Sequence, residues 1–170
     1  MRPVSDGSGM TLEEFADIIE NKGGKPAKEE DLQAFEGKIG ATLPLELRQF
    51  LMLSGGGLVF DPPAVYHDAA DRFFRLRRMS DLSGISEESV NPKYYPLPRE
   101  LLCIGSDAGG NGIMVCLSQD RFGEIFLLDH EMVEYEGEAM PLEEAEEVGL
   151  VTCYSASFQK FLDDVRIEDD

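Results

Sequence analysis

Three short apolar runs, separated by turn-forming residues, constrain the fold of this chain more than any other feature. The runs span residues 101–104, 113–117 and 125–128. Each is long enough for a β-strand and too short for a helix. The gap at 105–112 contains four glycines, and the gap at 118–123 ends in one, so both suit a reversal of the chain. The sequence therefore predicts a meander of three consecutive antiparallel strands.

The middle strand of this meander is predicted to be apolar on both faces. Side chains alternate across a strand, so Ile113, Val115 and Leu117 share one face while Met114 and Cys116 share the other. A strand of this kind lies in the interior of a sheet, and other elements must cover both of its faces. We expect the rest of the chain to supply that cover.

Amphipathic helices are predicted on both sides of the meander. A capping box at Thr11 and Glu14 begins a first helix that ends at 23–24. Helical spacing of apolar residues predicts a second helix over 28–39 and a third over 44–54. A closing helix is predicted within 153–165. The expected fold class is α+β: a central antiparallel sheet with N-terminal helices and a C-terminal helix packed on it.

Two further strands are predicted before the meander. Residues 58–60 form a short strand that Pro62 and Pro63 end, with a short extension at 65–66. Residues 73–79 alternate as an edge or peripheral strand. The basic cluster of the chain lies here and superficially resembles an RNA-binding patch. We interpret it instead as an outward face paired with neighbouring carboxylates. Its members are Arg72, Arg75, Arg77 and Arg78.

Charge is the dominant feature of the composition. Fifteen Lys and Arg residues against 34 Asp and Glu residues give a formal net charge of −19. Such a surface repels nucleic acid, because phosphate contacts dominate affinity for that partner. It favours encounter with basic proteins, although charge that serves only solubility is the alternative. The densest carboxylate run spans 143–147, in a predicted acidic loop between the meander and the closing helix.

Length and composition predict a single domain. We expect a flexible arm at 1–10, one domain at 11–166 and an acidic tail at 167–170. No stretch approaches the ~18 continuous apolar residues that a membrane helix needs, and the first residues lack the apolar core of a secretory signal. Cys103, Cys116 and Cys153 show no C-x-x-C spacing, which favours reduced thiols packed in the core. A cytoplasmic location is expected, provided that the given start is the true one.

The glycine-rich segment 105–112 does not match a phosphate-binding loop. A Walker-type loop continues with Lys and then Ser or Thr, and a dinucleotide-binding loop begins a helix, whereas this segment leads into a strand. Asp107, Asn111 and Asp129 have oxygen atoms suited to a divalent cation. Asp and Asn at hairpins more often cap the backbone, so we expect no metal site.

Catalytic residues are equally hard to assign. His67 and His130 are the only histidines, and neither lies in a local cysteine–histidine signature. Carboxylates are too abundant for one acid–base pair to be singled out. We therefore expect neither an enzyme nor a cofactor. A small-molecule enzyme that uses the segment 105–112 is kept as a rival hypothesis.

Three segments together resemble the SUKH superfamily, which contains a fungal cell-wall synthesis regulator and many bacterial immunity proteins. The first is LPLELRQFLMLSGGG at 43–57. The second is IGSDAGGNGIMVCL at 104–117 followed by GEIFLLDHE at 123–131, and the third is SFQKFLDDV at 157–165. The resemblance extends over about 11–165. One departure is Ser54, where the family usually has Asn before its glycine pair.

The resemblance implies an α+β sheet with helices on one side and a function performed by binding another protein. Many bacterial members neutralise polymorphic toxins, often nucleases, by occluding them. The family is not known for a catalytic centre, so its motif residues are interpreted as holding the fold. These residues are Pro44, Gly55, Gly56, Gly105, Asp107, Gly109, Gly110 and Asp129.

Two functional hypotheses follow from the resemblance and the charge. The first is an immunity protein that binds and occludes a basic toxin domain, with no nucleic acid or membrane partner. The alternative is a regulatory or scaffold module that has no toxin partner. On the first hypothesis the candidate partner-binding residues are Glu143, Glu144, Glu146, Glu147, Asp68 and Asp71.

Overall fold

The structure is a computed structural model that describes residues 11, 13–14, 26–54, 58–82, 84–85, 100–132 and 140–167. The predicted arm at 1–10 lies outside these residues, as does most of the predicted first helix. The start of that helix is described. Its Glu14 amide donates to Thr11 Oγ1 at 3.1 Å, as the capping box predicts. The end of the predicted tail, 168–170, is also outside the described residues.

Two helices precede the sheet where the apolar periodicity predicts them. Helix α1 spans Glu29–Ile39 and buries Leu32 and Phe35. It ends because Gly40 adopts a left-handed conformation (φ 69°), which returns its amide to the carbonyl of Glu36. Helix α2 spans Leu45–Ser54.

Arg48 of α2 joins the two helices through carboxylates of α1. Its guanidinium contacts Glu29 at 2.6 Å and Glu36 at 3.1 Å. Glu36 also accepts from the amide of Leu43 at 2.7 Å, so one carboxylate orients both the second helix and the segment that leads into it.

The remaining elements form one antiparallel sheet with helices on both faces. In chain order they are β1 (Leu58–His67), β2 (Phe73–Met79), β3 (Leu101–Asp107), β4 (Gly112–Cys116), β5 (Ile125–Leu128), α3 (Leu142–Glu147), β6 (Val151–Ser155), α4 (Phe158–Asp163) and β7 (Val165–Arg166). Two 3-10 turns, Gln119–Arg121 and His130–Met132, flank β5. The strand order across the sheet is β6-β5-β4-β3-β2-β1-β7.

The predicted meander is confirmed as β3, β4 and β5. Strand β4 pairs antiparallel with both neighbours, and Val115 lies opposite Leu102 on one side and Ile125 on the other. All five residues of β4 are buried. The two faces predicted from the alternation are also confirmed, because Ile113 and Val115 lie in one apolar core while Met114 and Cys116 lie in another.

The two cores differ in size and in the helices that cover them. The larger core lies under α1, α2 and α4, and it contains Phe50, Phe158 and Phe161. The smaller core lies on the opposite face, where Leu142 and Ala145 of α3 pack on the sheet. The N-terminal and C-terminal helices therefore pack on one face, and α3 supplies the cover that the other face requires.

The prediction that the prolines end the first strand is wrong. Strand β1 continues through Pro62 and Pro63, and the Asp61–Pro62 peptide bond is cis. The ladder to β2 is interrupted between Val59 and Ala64. Because the prolines lie inside this interruption, no ladder hydrogen bond is needed from the amide that proline lacks.

Strand β2 is also not at an edge, because it pairs with β1 on one side and β3 on the other. Its arginines face outward as predicted: Arg75, Arg77 and Arg78 are exposed. Arg75 lies over the ring of Phe73 at 5.5 Å. The expected pairing with neighbouring carboxylates is seen for one member of the predicted cluster, Arg72, which contacts Asp68 at 2.9 Å. None of the described carboxylates forms an ion pair with the three arginines of β2.

Three elements after the meander differ from the sequence predictions. The predicted acidic loop contains helix α3, which forms because Leu142 and Ala145 lie on one face and can be buried together. Strand β6 precedes the closing helix, and Val165, expected on that helix, lies in β7. The helix itself lies within the predicted range, and Ser157 caps its start, with Oγ accepting from the amide of Lys160 at 3.1 Å.

Replacing the most buried aromatic side chain of the closing helix, α4, tests the assignment of the larger core. Phe161 is fully buried and stacks on Tyr66, with ring centroids 5.5 Å apart. We expect Phe161→Ala to lower the free energy of unfolding by about 3–5 kcal/mol, measured by urea denaturation. The control is Phe122→Ala, at a half-exposed ring, which should cost under about 1 kcal/mol. Equal effects of the two changes would contradict this assignment of the core.

Candidate functional site

Helix α3 presents most of the candidate partner-binding carboxylates. Leu142 and Ala145 anchor the helix on the sheet, so residues on its other side face solvent. Glu143, Glu144 and Glu147 are exposed there. These three residues, which we call the acidic face of α3, form one surface that the fold leaves accessible.

Glu146 differs from the other three glutamates because it has a partner within the fold. Arg121 donates from Nη1 to Glu146 at 2.9 Å and from Nε to Glu124 at 2.7 Å. Its guanidinium also lies 4.8 Å from the centre of the Phe126 ring. The hydrogen bond to Glu146 and the nearby Glu124 charge raise the pKa of Arg121 against the effect of burial. Glu146 thus ties α3 to the β4–β5 hairpin.

Asp68 is likewise used inside the fold, at the turn between β1 and β2. Its side chain is 6% exposed and accepts hydrogen bonds from the Arg72 amide, from Arg72 Nε and from the Tyr66 hydroxyl, at 3.0, 2.9 and 3.0 Å. Burial alone would raise the pKa of Asp68, but these donors together lower it. The geometry gives this carboxylate a role in stabilising the turn.

Arg72 extends the same network to the far edge of the sheet. It donates to the backbone carbonyls of Cys153 at 2.6 Å and Tyr154 at 2.8 Å, and it lies over the Tyr154 ring at 4.6 Å. The Tyr66 hydroxyl lies 3.2 Å from Ser155 Oγ. Four strands separate β1 from β6 in the sheet order, so these contacts require a curled sheet. Burial raises the pKa of Tyr66, which keeps its hydroxyl protonated as a donor.

Asp71 lies in the same turn but faces solvent. Its side chain is 92% exposed, and Oδ1 lies 2.6 Å from His67 Nε2. The structure therefore does not bring the six candidate carboxylates together. Three share the acidic face of α3, Glu146 lies on that helix but is paired, and Asp68 and Asp71 belong to the β1–β2 turn.

The segment between β3 and β4 folds as a tight turn around Asp107. Oδ1 of Asp107 accepts from the amides of Gly109 at 2.9 Å and Asn111 at 2.8 Å. Gly110 has φ 93°, a backbone conformation that favours glycine. The backbone amides that could bind a phosphate therefore donate their hydrogen bonds to the Asp107 carboxylate instead.

Cys153 is the most accessible of the three cysteines, and all three are free thiols. Burial, with a further contribution from Glu124, raises the pKa of Cys153 to about 11. A thiol with so high a pKa is almost entirely protonated at neutral pH, which makes it a poor nucleophile. Within the described ranges there is no group of three or more His, Cys, Asp or Glu side chains arranged to hold a metal ion.

Sequence reasoning did not identify the two arginines that form ion pairs with Glu146 and Asp68. The Asp68–Arg72 pair has the i, i+4 spacing of a local ion pair, so that partner was available to inspection. The Arg121–Glu146 pair joins positions 25 residues apart and depends on the packing of α3, which no local pattern indicates. Of the described helices, none is long and apolar enough to cross a membrane.

The fold and these surfaces define an α+β domain in which three of the exposed carboxylates lie on the short helix α3. A comparison with family models makes the assignment specific. The chain belongs to the SMI1 / KNR4 family (SUKH-1), whose model matches residues 26–164. Membership supports a protein-interaction or immunity-type domain. No curated protein matches the chain.

Alanine substitutions in the β3–β4 turn test whether glycine is required at position 110 because of its backbone conformation. We expect Gly110→Ala to cost about 1–2 kcal/mol of stability, because a Cβ is disfavoured at its positive φ. Gly109→Ala is the matched control in the same turn. A Cβ there would meet only Asp107 Oδ1 at an ordinary 3.5 Å, and φ is not positive. Thermal unfolding of both variants measures the difference, and equal melting temperatures would exclude a conformational requirement at Gly110.

Removal of the Asp68 charge should destabilise the protein in a pH-dependent way. The folded-state pKa of Asp68 is depressed, so its contribution is present above the usual carboxyl range near pH ~4 and is lost as pH falls through the folded value. We expect Asp68→Asn to cost about 1–3 kcal/mol at neutral pH. Urea denaturation at neutral and strongly acidic pH should show the difference from wild type shrinking in acid. A difference that is constant with pH would argue against a charged Asp68 in the network.

Proposed function

We propose that this protein is an immunity protein that binds a basic toxin domain and occludes it. Family membership, with its immunity-type and protein-interaction domains, supports a binding role. The net charge of −19 favours a basic partner. On this proposal the protein is a binding partner and not an enzyme, and it acts in the cytoplasm, where its three free thiols would stay reduced.

The observation that carries the proposal is the acidic face of α3. A toxin nuclease must be basic where it meets phosphate, so a protein that blocks it gains by presenting carboxylates to that groove. Glu143, Glu144 and Glu147 are exposed on a helix whose opposite side is fixed to the sheet. A fixed helix presents these charges with little loss of conformational freedom on binding.

Capture of the partner tests the class of function. The protein is immobilised and exposed to native lysate from its own source, and the retained proteins are identified by mass spectrometry. Recovery of a basic toxin domain, whose activity the purified protein then inhibits, supports the proposal. Recovery of host proteins without toxin activity supports the regulatory or scaffold alternative.

Charge reversal on α3 tests the mechanism once the partner is purified. We expect Glu143→Lys/Glu144→Lys/Glu147→Lys to slow association about tenfold or more while leaving the melting temperature nearly unchanged, because exposed charges contribute little to folding. Glu146 is kept, because Lys beside Arg121 would destabilise the attachment of α3.

The matched control reverses three exposed carboxylates on other elements, Glu13, Glu30 and Asp61, which gives the same net charge. Stopped-flow association at rising salt completes the test. Wild-type association should slow as the screening length falls below ~10 Å, and the control should retain most of the wild-type rate. If salt has no effect, or if both triple variants behave alike, the acidic face is not the binding surface.

A further inference from the structure

A cleft of about 420 Å³ opens next to the β3–β4 turn, on the face of the sheet opposite α3. Its floor includes Leu127 and Thr152, which lie opposite each other on β5 and β6. Gly149, in the turn that follows α3, forms part of its wall. The lining residues are Gly109, Asn111, Leu127, Asp129, His130, Glu131, Gly149, Thr152 and Tyr154.

The imidazole of His130 is held in one orientation within this cleft. Asn111 Nδ2 donates to Asp107 Oδ2 at 3.0 Å, and Asn111 Oδ1 accepts from the backbone amide of His130 at 3.1 Å. Because a backbone N–H can only donate and a carboxylate can only accept, these two contacts fix which end of the Asn111 amide faces His130.

The orientation of Asn111 determines the tautomer of the neutral imidazole. His130 Nδ1 lies 2.7 Å from Asn111 Oδ1, so Nδ1 carries the proton and Nε2 carries the lone pair. No described residue forms a hydrogen bond with Nε2. A Cβ built on Gly110 would come within 3.7 Å of the ring, so the β3–β4 turn passes close to the imidazole.

The polar atoms that line the cleft are mainly acceptors. Besides His130, the polar lining residues include Asp129 and Glu131, whose carboxylates only accept, and Thr152 and Tyr154, whose hydroxyls can accept. One oxygen of Asp129 already accepts from the amide of Glu131 at 3.0 Å. None of the described lining residues is Lys or Arg. An apolar floor with several convergent acceptors suits a long side chain that ends in a planar group with several N–H donors. Arginine has this chemistry, with five donors on a planar guanidinium and an apolar stem.

We propose that this cleft binds an arginine side chain of the protein partner. The guanidinium would donate to His130 Nε2 and to the carboxylates of Asp129 and Glu131, while its stem packs over Leu127. The inference rests on the proposed function only for the nature of the partner. On this inference the cleft holds one arginine of the bound partner, and the acidic face of α3 attracts the partner over a longer distance.

A nuclear magnetic resonance titration tests this without the partner. The ¹⁵N-labelled full chain is titrated with N-acetyl-arginine amide, and with N-acetyl-citrulline amide as the neutral probe of nearly the same shape. We expect saturable shifts of the amide signals of Gly109, His130 and Thr152 with the arginine probe alone. No saturable shift at these positions, or equal shifts with citrulline, would overturn the proposal.

A pair of isosteric variants locates the effect. Asp129→Asn/Glu131→Gln removes the cleft charges, and Glu143→Gln/Glu144→Gln removes the same charge from α3. We expect the first variant to bind the arginine probe about five- to tenfold more weakly, as for two half-exposed charge pairs, and the second to bind it nearly as wild type does. Equal weakening in both variants would mean that net charge, and not the cleft, attracts the probe.

The outcomes separate this inference from the proposed function. If the arginine probe fails to bind while charge reversal on α3 still slows toxin association, the cleft assignment fails and the immunity function stands. If the probe binds in the cleft but the captured partner is not a toxin, the cleft assignment stands and the immunity function fails.

Discussion

The structure depends on the burial of β4 from both sides. Every residue of this strand is buried, so the chain must build two apolar cores and not one. The larger core uses the helices at the two ends of the fold, with the Phe50 and Phe158 rings 5.4 Å apart where α2 meets α4. The smaller core needs a separate element, and α3 provides it. The exposed position of the acidic residues on α3 is therefore a consequence of the packing requirement of β4.

The curl of the sheet is the second consequence of a large core on one face. As the strands wrap around the aromatic side chains, the β1–β2 turn comes within hydrogen-bond distance of β6. Arg72 then satisfies backbone carbonyls of β6, which is an edge strand of the sheet. Unpaired carbonyls on an edge strand invite pairing with another chain, so this arginine also protects the edge. One turn thus closes the curled sheet and limits unwanted association.

The local sequence pattern predicted the elements whose buried residues recur at regular spacing. It did not predict the elements whose structure depends on contacts between residues far apart in the sequence. The meander, α1, α2 and the start of α4 followed from alternation, helical spacing and capping residues such as Ser157. The predicted first strand was too short, because a run containing Pro62 and Pro63 gives no local sign that the ladder to β2 is interrupted at these positions. Helix α3 was missed because Leu142 and Ala145 are too few to form a periodic pattern. The candidate site could be predicted as far as the acidic run, and the i, i+4 spacing also indicates the pairing of Asp68 with Arg72. The pairing of Glu146 with Arg121 could not be predicted, since it depends on the packing of α3.

The few cations that the fold uses leave the acidic surface available for function. Arg48 joins α1 to α2, Arg72 joins the β1–β2 turn to β6, and Arg121 joins the β4–β5 hairpin to α3. Each neutralises at least one carboxylate at or beside such a junction, while Glu143, Glu144 and Glu147 face solvent. Since these exposed residues take no part in the cores or in the three arginine networks, their identity can change without cost to the fold. On the proposed function, a surface of this kind can change to suit a different basic partner while the packing of the sheet beneath it stays the same.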